Sequence, residues 1–215
     1  MMDRWPRAAP IEQVAAAFKT EPADFRVAEH LDFDPDGSGE HLYLQIEKTN
    51  LTSAEVADWL AERYSLRPGD VGLAGMKDKH AITTQWFSLP IAENPPQNIQ
   101  WHDDGRSLRT LTATRHSRKL RRGQLSRNDF QIRLTQPGSH VCIRTLTDLA
   151  ALVAQGVPNY FGPQRFGRDN VDQALGWLAQ RRRRRVSAFK KGLYLSVLRS
   201  FLFNEVLAAR VRHCN

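Results

Sequence analysis

The chain has 215 residues, 41% hydrophobic and 25% charged, which is long enough to bury a core without disulfide or metal staples. Its 31 Lys and Arg against 23 Asp and Glu leave a formal charge of +8, a surplus that suits a polyanionic partner, nucleic acid above all. Cys142 and Cys214 lie far apart with no C-x-x-C spacing, and neither an apolar leader nor a membrane-length stretch is read, so zinc-ribbon, disulfide-framework and membrane classes are set aside and a cytoplasmic protein is expected.

In chain order, "DFRVAEH" alternates as a strand, and "HLYLQIEKT" does so more clearly, with Leu42, Leu44 and Ile46 on one face. The Gly, Asp and Pro residues of "DFDPDGSGE" between them predict a hairpin. Asp32, Asp34, Asp36 and Gly37 match half of a calcium loop, but the twelfth position is Tyr43 and the flanks read as strands, so a turn is preferred. Thr52 and Glu55 have capping-box spacing and open a helix to about Tyr64, with Val56, Leu60 and Tyr64 as its stripe. Strand-like runs follow at Val71 to Met76, Thr83 to Leu89, Leu108 to Thr114 and Asp129 to Leu134, with "IAENPPQNIQ" as a connecting loop.

Beyond Leu134 the pattern turns helical. Leu146 to Val153 reads as one helix, "GVPNYFGPQRFG" as a punctuated loop, and Asn170 to Gln180 as a second helix. A last helix from Leu193 to about Arg212 sets Val197, Phe201 and Leu202 on one side. The expected class is α+β, a mainly antiparallel sheet with flanking helices, divided near Gly156 into a domain of 1–155 and one of 156–215.

Arg181 to Arg185 is the strongest local charge, either a solvated segment or a phosphate contact. Further cations stand at Arg115, Arg118, Lys119, Arg121, Arg122, Arg127, Arg165, Arg168, Lys190 and Lys191, a spread able to track RNA by its backbone. Gly72 and Gly75 fit neither a Walker loop nor a dinucleotide fingerprint, and the seven histidines lack metal-ligand spacing. In "GLAGMKDKHAITTQ" one carboxylate, Asp78, sits between Lys77 and Lys79. It is either a solvated turn or an aspartate held ionised by its neighbours, and the second is competent as a nucleophile or base.

Five stretches, "DFRVAEHLDFDPDGSGEHLYLQIEKTNLTS", "GLAGMKDKHAITTQWFSL", "RHSRKLRRGQLSRNDFQIRL", "GVPNYFGPQRFGRDN" and "SVLRSFLFNEVLAARV", resemble the TruD pseudouridine synthases in family order. The resemblance implies the pseudouridine synthase catalytic fold with the start of an inserted TRUD domain. It also implies a tRNA uridine-to-pseudouridine isomerase with uridine 13 as target and no metal or cofactor. Asp78 then corresponds to the catalytic aspartate, with Lys77 and Lys79 holding it charged. Direct attack on the ribose C1′, proton abstraction and addition chemistry remain open as its role. Phe25 would contact the uracil and Asn128 would hydrogen-bond in the site, with Phe130, Lys79 and Gln85 in support. Core packing is the alternative for Phe25 and Phe130, and a strand-edge turn for Asn128. Arg121, Arg122, Arg165, Arg181, Arg182 and Arg183 would meet the tRNA backbone.

Family members continue past Asn215, so the closing strands, helices and a third pocket aromatic are expected to be absent. The alternative function is therefore an inactive, RNA-binding fragment. A complete protein would be monomeric, whereas the exposed last helix predicts association.

Overall fold

The computed structural model describes residues 5–7, 16–93, 95–135, 150, 152–154, 156–179 and 186–213. The chain forms two compact units, Ala15–Ser139 and the pair of segments Met1–Val14 and His140–Asn215.

The first unit is a seven-stranded mixed sheet. Its strands are β1 (Phe25–His30), β2 (His41–Thr49), β3 (Gly72–Leu73), β4 (Ile82–Pro90), β5 (Gln100–Asp103), β6 (Arg106–His116) and β7 (Arg127–Ile132). They run in the order β5-β6-β2-β4-β1-β7, with β3 paired to the far end of β4. Only β1 and β4 are parallel, which keeps the sheet mainly antiparallel and the class α+β.

The expected β1–β2 hairpin does not form. β4 lies between those strands, pairing Leu44 with Phe87 on one side and Val27 with Thr83 on the other. The linker is a pinned crossover: Phe33 packs edge-on to Tyr43, and Asp36 accepts from the Ser117 N–H at 3.0 Å and meets His116 at 3.0 Å.

The alternation in β2 decides what covers the sheet. Leu42, Leu44 and Ile46 are fully buried beneath α1 (Ser53–Arg63), whose Val56, Ala57, Leu60 and Ala61 fill the space above them. Burying four such side chains is worth several kcal/mol, on the order of 1.5–3 kcal/mol for each of the larger ones. The alternate residue Tyr43 is equally buried on the opposite face, with Ala74 and Leu120. Thr52 caps α1 through its hydroxyl, and Glu55 returns the bond to the Thr52 N–H.

In the second unit α2 (Pro163–Phe166) is a single turn inside the expected loop, followed by α3 (Asn170–Ala179) and α4 (Ala188–Arg212). Phe166, Val171 and Val197 form one buried cluster, and Ala174, Trp177, Tyr194 and Leu198 another. Asn204 is wholly buried because its amide answers both the N–H and the carbonyl of Phe161. Val197 and Phe201 face α2 and α3 as expected, but Leu202 is 62% exposed. The reading that no stretch reaches membrane length is also corrected: Lys190–Arg212 passes by length and mean hydropathy. It is a packed helix here, with Val197, Asn204 and Ala208 at zero exposure. The expected helix at Leu146 to Val153 lies mostly outside the described residues, and Arg181 to Arg185 entirely so.

Candidate active site

Asp78 sits in the loop between β3 and β4, and three buried groups fix that loop from beneath. Gln85 donates to the Gly75 carbonyl and accepts from Ser53 Oγ at 2.7 Å. Ser53 Oγ in turn accepts from the Lys77 N–H at 2.8 Å. Lys48, 1% exposed, donates its ammonium to the carbonyls of Leu51 and of Asp78 itself. Burial pushes the Lys48 pKa down to about 8, with Lys77 adding to the fall while the Asp78 and Glu55 carboxylates pull it back up. The loop that carries Asp78 is thus bonded to the sheet and to the first turn of α1.

The cation at the Asp78 carboxylate is Lys19, whose Nζ lies 3.0 Å from Oδ2. The same ammonium stands 3.8 Å from the centre of the Phe25 ring. Lys19 reaches both because its backbone adopts the left-handed region, φ 56°, a conformation that costs a side-chain-bearing residue and persists only where its surroundings impose it. Those surroundings are a set of hydrogen bonds. Ala17 and Thr135 exchange backbone bonds at 2.8 Å, and His80 Nε2 sits 3.1 Å from the Lys19 carbonyl. Asp24, fully buried, binds the Glu21 N–H and Arg133, which hold its carboxyl below the usual range.

The sheet register brings the remaining groups to the same side. Val27 is paired with Phe130, and Glu29 with Asn128, so these side chains share the face that Phe25 occupies. The Phe25 and Phe130 rings are 6.0 Å apart at 57°. Phe25 is 8% exposed and Phe130 61%, so one ring is a wall and the other a free surface. The Asn128 Oδ1 is buried with no hydrogen-bond partner among the described residues.

A family model described as tRNA pseudouridine synthase D (TruD) matches residues 8–179. The chain belongs to the TruD family. It is 45% identical over 214 residues to tRNA pseudouridine synthase D of Methylococcus capsulatus, covering 98% of this chain and 59% of that protein. It is 44% identical over 212 residues to the Cellvibrio japonicus protein of that name, covering 97% and 63%. Among solved structures, a candidate TruD from Methanosarcina mazei aligns with a TM-score of 0.64 at 22% identity, over 97% of this chain and 53% of the other. That likeness is one of fold. The chain spans about three fifths of the length of the curated TruD relatives it matches.

Within this TruD chain two lysines are not where the motif put them. Lys77 pairs with Glu29, both buried, and the exposed Lys79 pairs with Glu55 at 3.2 Å. Each flanking lysine thus finds its own carboxylate. The ammonium that meets the Asp78 carboxylate is that of Lys19, and nothing in "FKTEPADF" marks it: a lone lysine 59 positions away carries no spacing signal. Lys48 was equally unmarked, being one cation at the end of a strand. Arg121 and Arg122 are exposed. Arg165 is taken up by Ser200 Oγ at 2.8 Å and by Ser196, which ties α2 to α4. Arg181, Arg182 and Arg183 lie outside the described residues.

Proposed function

We propose that this chain carries the catalytic aspartate of a tRNA pseudouridine synthase acting on uridine 13, with Asp78 as the carboxylate. The observation that carries the reading is the joint engagement of Lys19, at hydrogen-bond distance from Asp78 and over the Phe25 ring. That places a fixed, partly exposed anion beside an aromatic wall, the combination a flipped-out base requires. Phe25 and Phe130 would flank the uracil. The orphaned Asn128 oxygen would accept from the imide N–H of the ring, an acceptor otherwise left unsatisfied at a cost on the order of 1–3 kcal/mol.

The reaction needs no co-reactant. The N1–C1′ bond breaks, the uracil turns, a C5–C1′ bond forms, C5 loses its proton and N1 gains one. Asp78 assists the first cleavage as nucleophile or as base, and Lys19 aims it. Lys79 and Gln85 support from the loop and beneath it, and Arg121, Arg122 and the Arg181–Arg183 run contact backbone phosphates. Incubation with an unmodified tRNA transcript, followed by chemical mapping of pseudouridine, tests this: Asp78→Asn must abolish a conversion that the parent chain performs. An Asn variant with undiminished conversion would remove Asp78 from the reaction. Salt-sensitive tRNA binding without conversion by the parent would favour the alternative, a non-catalytic RNA-binding fragment.

A further inference from the structure

At the far end of β2 from the Asp78 loop is a hollow of about 470 Å³ lined by His41, Ser117, Arg118, Lys119, Arg121 and Gln124. Its wall, residues 117–124, has no helix or strand yet is fixed along its length. The Ser117 N–H donates to Asp36 at 3.0 Å, and the Tyr43 hydroxyl donates to the Arg118 carbonyl at 2.9 Å. The Leu120 N–H donates to Ser88 Oγ at 2.9 Å, and the Gly123 N–H to the Ala74 carbonyl at 2.8 Å. Leu120, 1% exposed, is sunk beside Tyr43 and Ala74. Gly72 permits this close approach, since a Cβ there would fall 2.3 Å from Ser88 Oγ and 2.5 Å from the Leu120 carbonyl.

Among the described residues the pinned wall gathers more cations than carboxylates. Arg118 and Arg121 are exposed and form no ion pair among the described residues, while the Lys119 ammonium meets only the Gly69 carbonyl. Of the nearby acids, Asp36 is committed to Ser117 and His116, and Glu40 stands beside His41. Gln124 uses Oε1 to accept the Arg121 N–H at 2.6 Å, which leaves its amide nitrogen as the free end. Holding like charges together on a rigid wall costs free energy that an anion recovers, and rigidity beforehand spares the ordering cost of binding.

We propose that this hollow is a binding site for a backbone phosphate of the RNA substrate, separate from the uridine pocket. The identity of the RNA rests on the function proposed above; the anion site itself does not. Guanidinium forks from Arg118 and Arg121 match phosphate geometry, with Lys119, Ser117 and Gln124 adding donors. His41 and Lys48 are seven residues apart on one strand, about 23 Å at the usual rise. Lys48 touches the Asp78 carbonyl, so the phosphate site lies on the order of 23 Å from the Asp78 loop.

The test measures tRNA-transcript affinity of the full chain against salt for Arg118→Ala/Arg121→Ala and, as a charge-matched comparison, Arg63→Ala/Arg67→Ala. The first pair is expected to weaken binding about 10-fold and to lower the salt slope by roughly 0.7–0.9, the value for one phosphate, and the second pair to weaken binding by under about 2-fold. Inorganic pyrophosphate titrated onto the ¹⁵N-labelled chain is expected to shift the amide signals of Ser117, Arg118 and Gln124. Equal losses in the two pairs, or none in the first, overturn the proposal. Pyrophosphate shifts with unchanged tRNA affinity in the first pair also overturn it, since the hollow would then take free anions only. Affinity and its salt dependence are read here and pseudouridine formation in the assay above, so failure of the phosphate site and failure of the catalytic assignment read out separately.

Discussion

Lys48 is a lysine with almost no access to water, and its two carbonyl partners carry no charge to neutralise it. Burial therefore lowers its pKa from 10.5 to about 8 in the folded chain. The unfolded chain binds the extra proton between those values, so stability must rise with pH through that window, by up to about 3 kcal/mol. Lys48→Met removes the titrating group, and its urea midpoint is expected to stay flat from pH 8 to 10 where that of the parent climbs. An equal climb in both would assign the effect elsewhere. Asp78 gives the opposite expectation. Its pair with Lys19 leaves the two side chains 41% and 27% exposed, and a partly solvated pair is worth under about 1 kcal/mol. Asp78→Asn should therefore leave the urea midpoint almost unchanged while abolishing pseudouridine formation; a collapse in stability would make Asp78 a structural residue. Asp78 was legible because a local motif surrounds it. Lys19 was not, because its role depends on a left-handed turn and a β-bridge that no short window of sequence encodes.

The helix that supports the Asp78 loop depends on its first turn. Thr52 and Glu55 were readable as a capping box from spacing alone, and both reciprocal bonds form. Thr52→Ala should cost about 1 kcal/mol in a urea titration. Glu55 is held down to about 2, chiefly by the Thr52 N–H and then by its hydroxyl and by Lys79. A carboxylate lowered on folding stabilises above its unfolded value of 4.5 and loses that contribution as pH falls towards 2. Glu55→Gln should be less stable than the parent at pH 7, with the gap closing on acidification; a gap independent of pH would mean that the charge is irrelevant to the cap. Elsewhere local signals were obscured or overridden. β5 escaped notice behind Pro95 and Pro96, although Asp104 and Gly105, with φ 41° and 70°, form a two-residue Asp-Gly turn of the kind that joins β5 to β6. The β1–β2 hairpin failed for a different reason. Turn residues predict a bend, but which strand pairs with which is decided by long-range burial, and β4 is the strand with apolar residues for both faces.

For the molecule as a whole, charge and apolar surface make opposite claims on salt. With a net charge of +8, the RNA binding proposed above is expected to weaken steeply as salt rises. The exposed apolar residues behave otherwise. On α4, Leu202, Phe203 and Val206 are 62%, 48% and 62% exposed, and on the edge strand β7 and just beyond it Phe130, Ile132 and Leu134 are 61%, 49% and 63% exposed. Unpaired strand edges and contiguous apolar faces both favour self-association. The chain is therefore expected to sediment as a concentration-dependent mixture in the micromolar range, at low salt and at roughly 0.5 M salt alike, because hydrophobic contact is not screened as charge is. Leu202→Glu/Val206→Glu places two carboxylates on the helical face and should return the weight-average mass to that of a monomer. If the double variant still assembles, the β7 edge is the contact. If the parent is monomeric at every concentration, the exposed faces are simply tolerated, and only the RNA term remains as a determinant of what this surface binds.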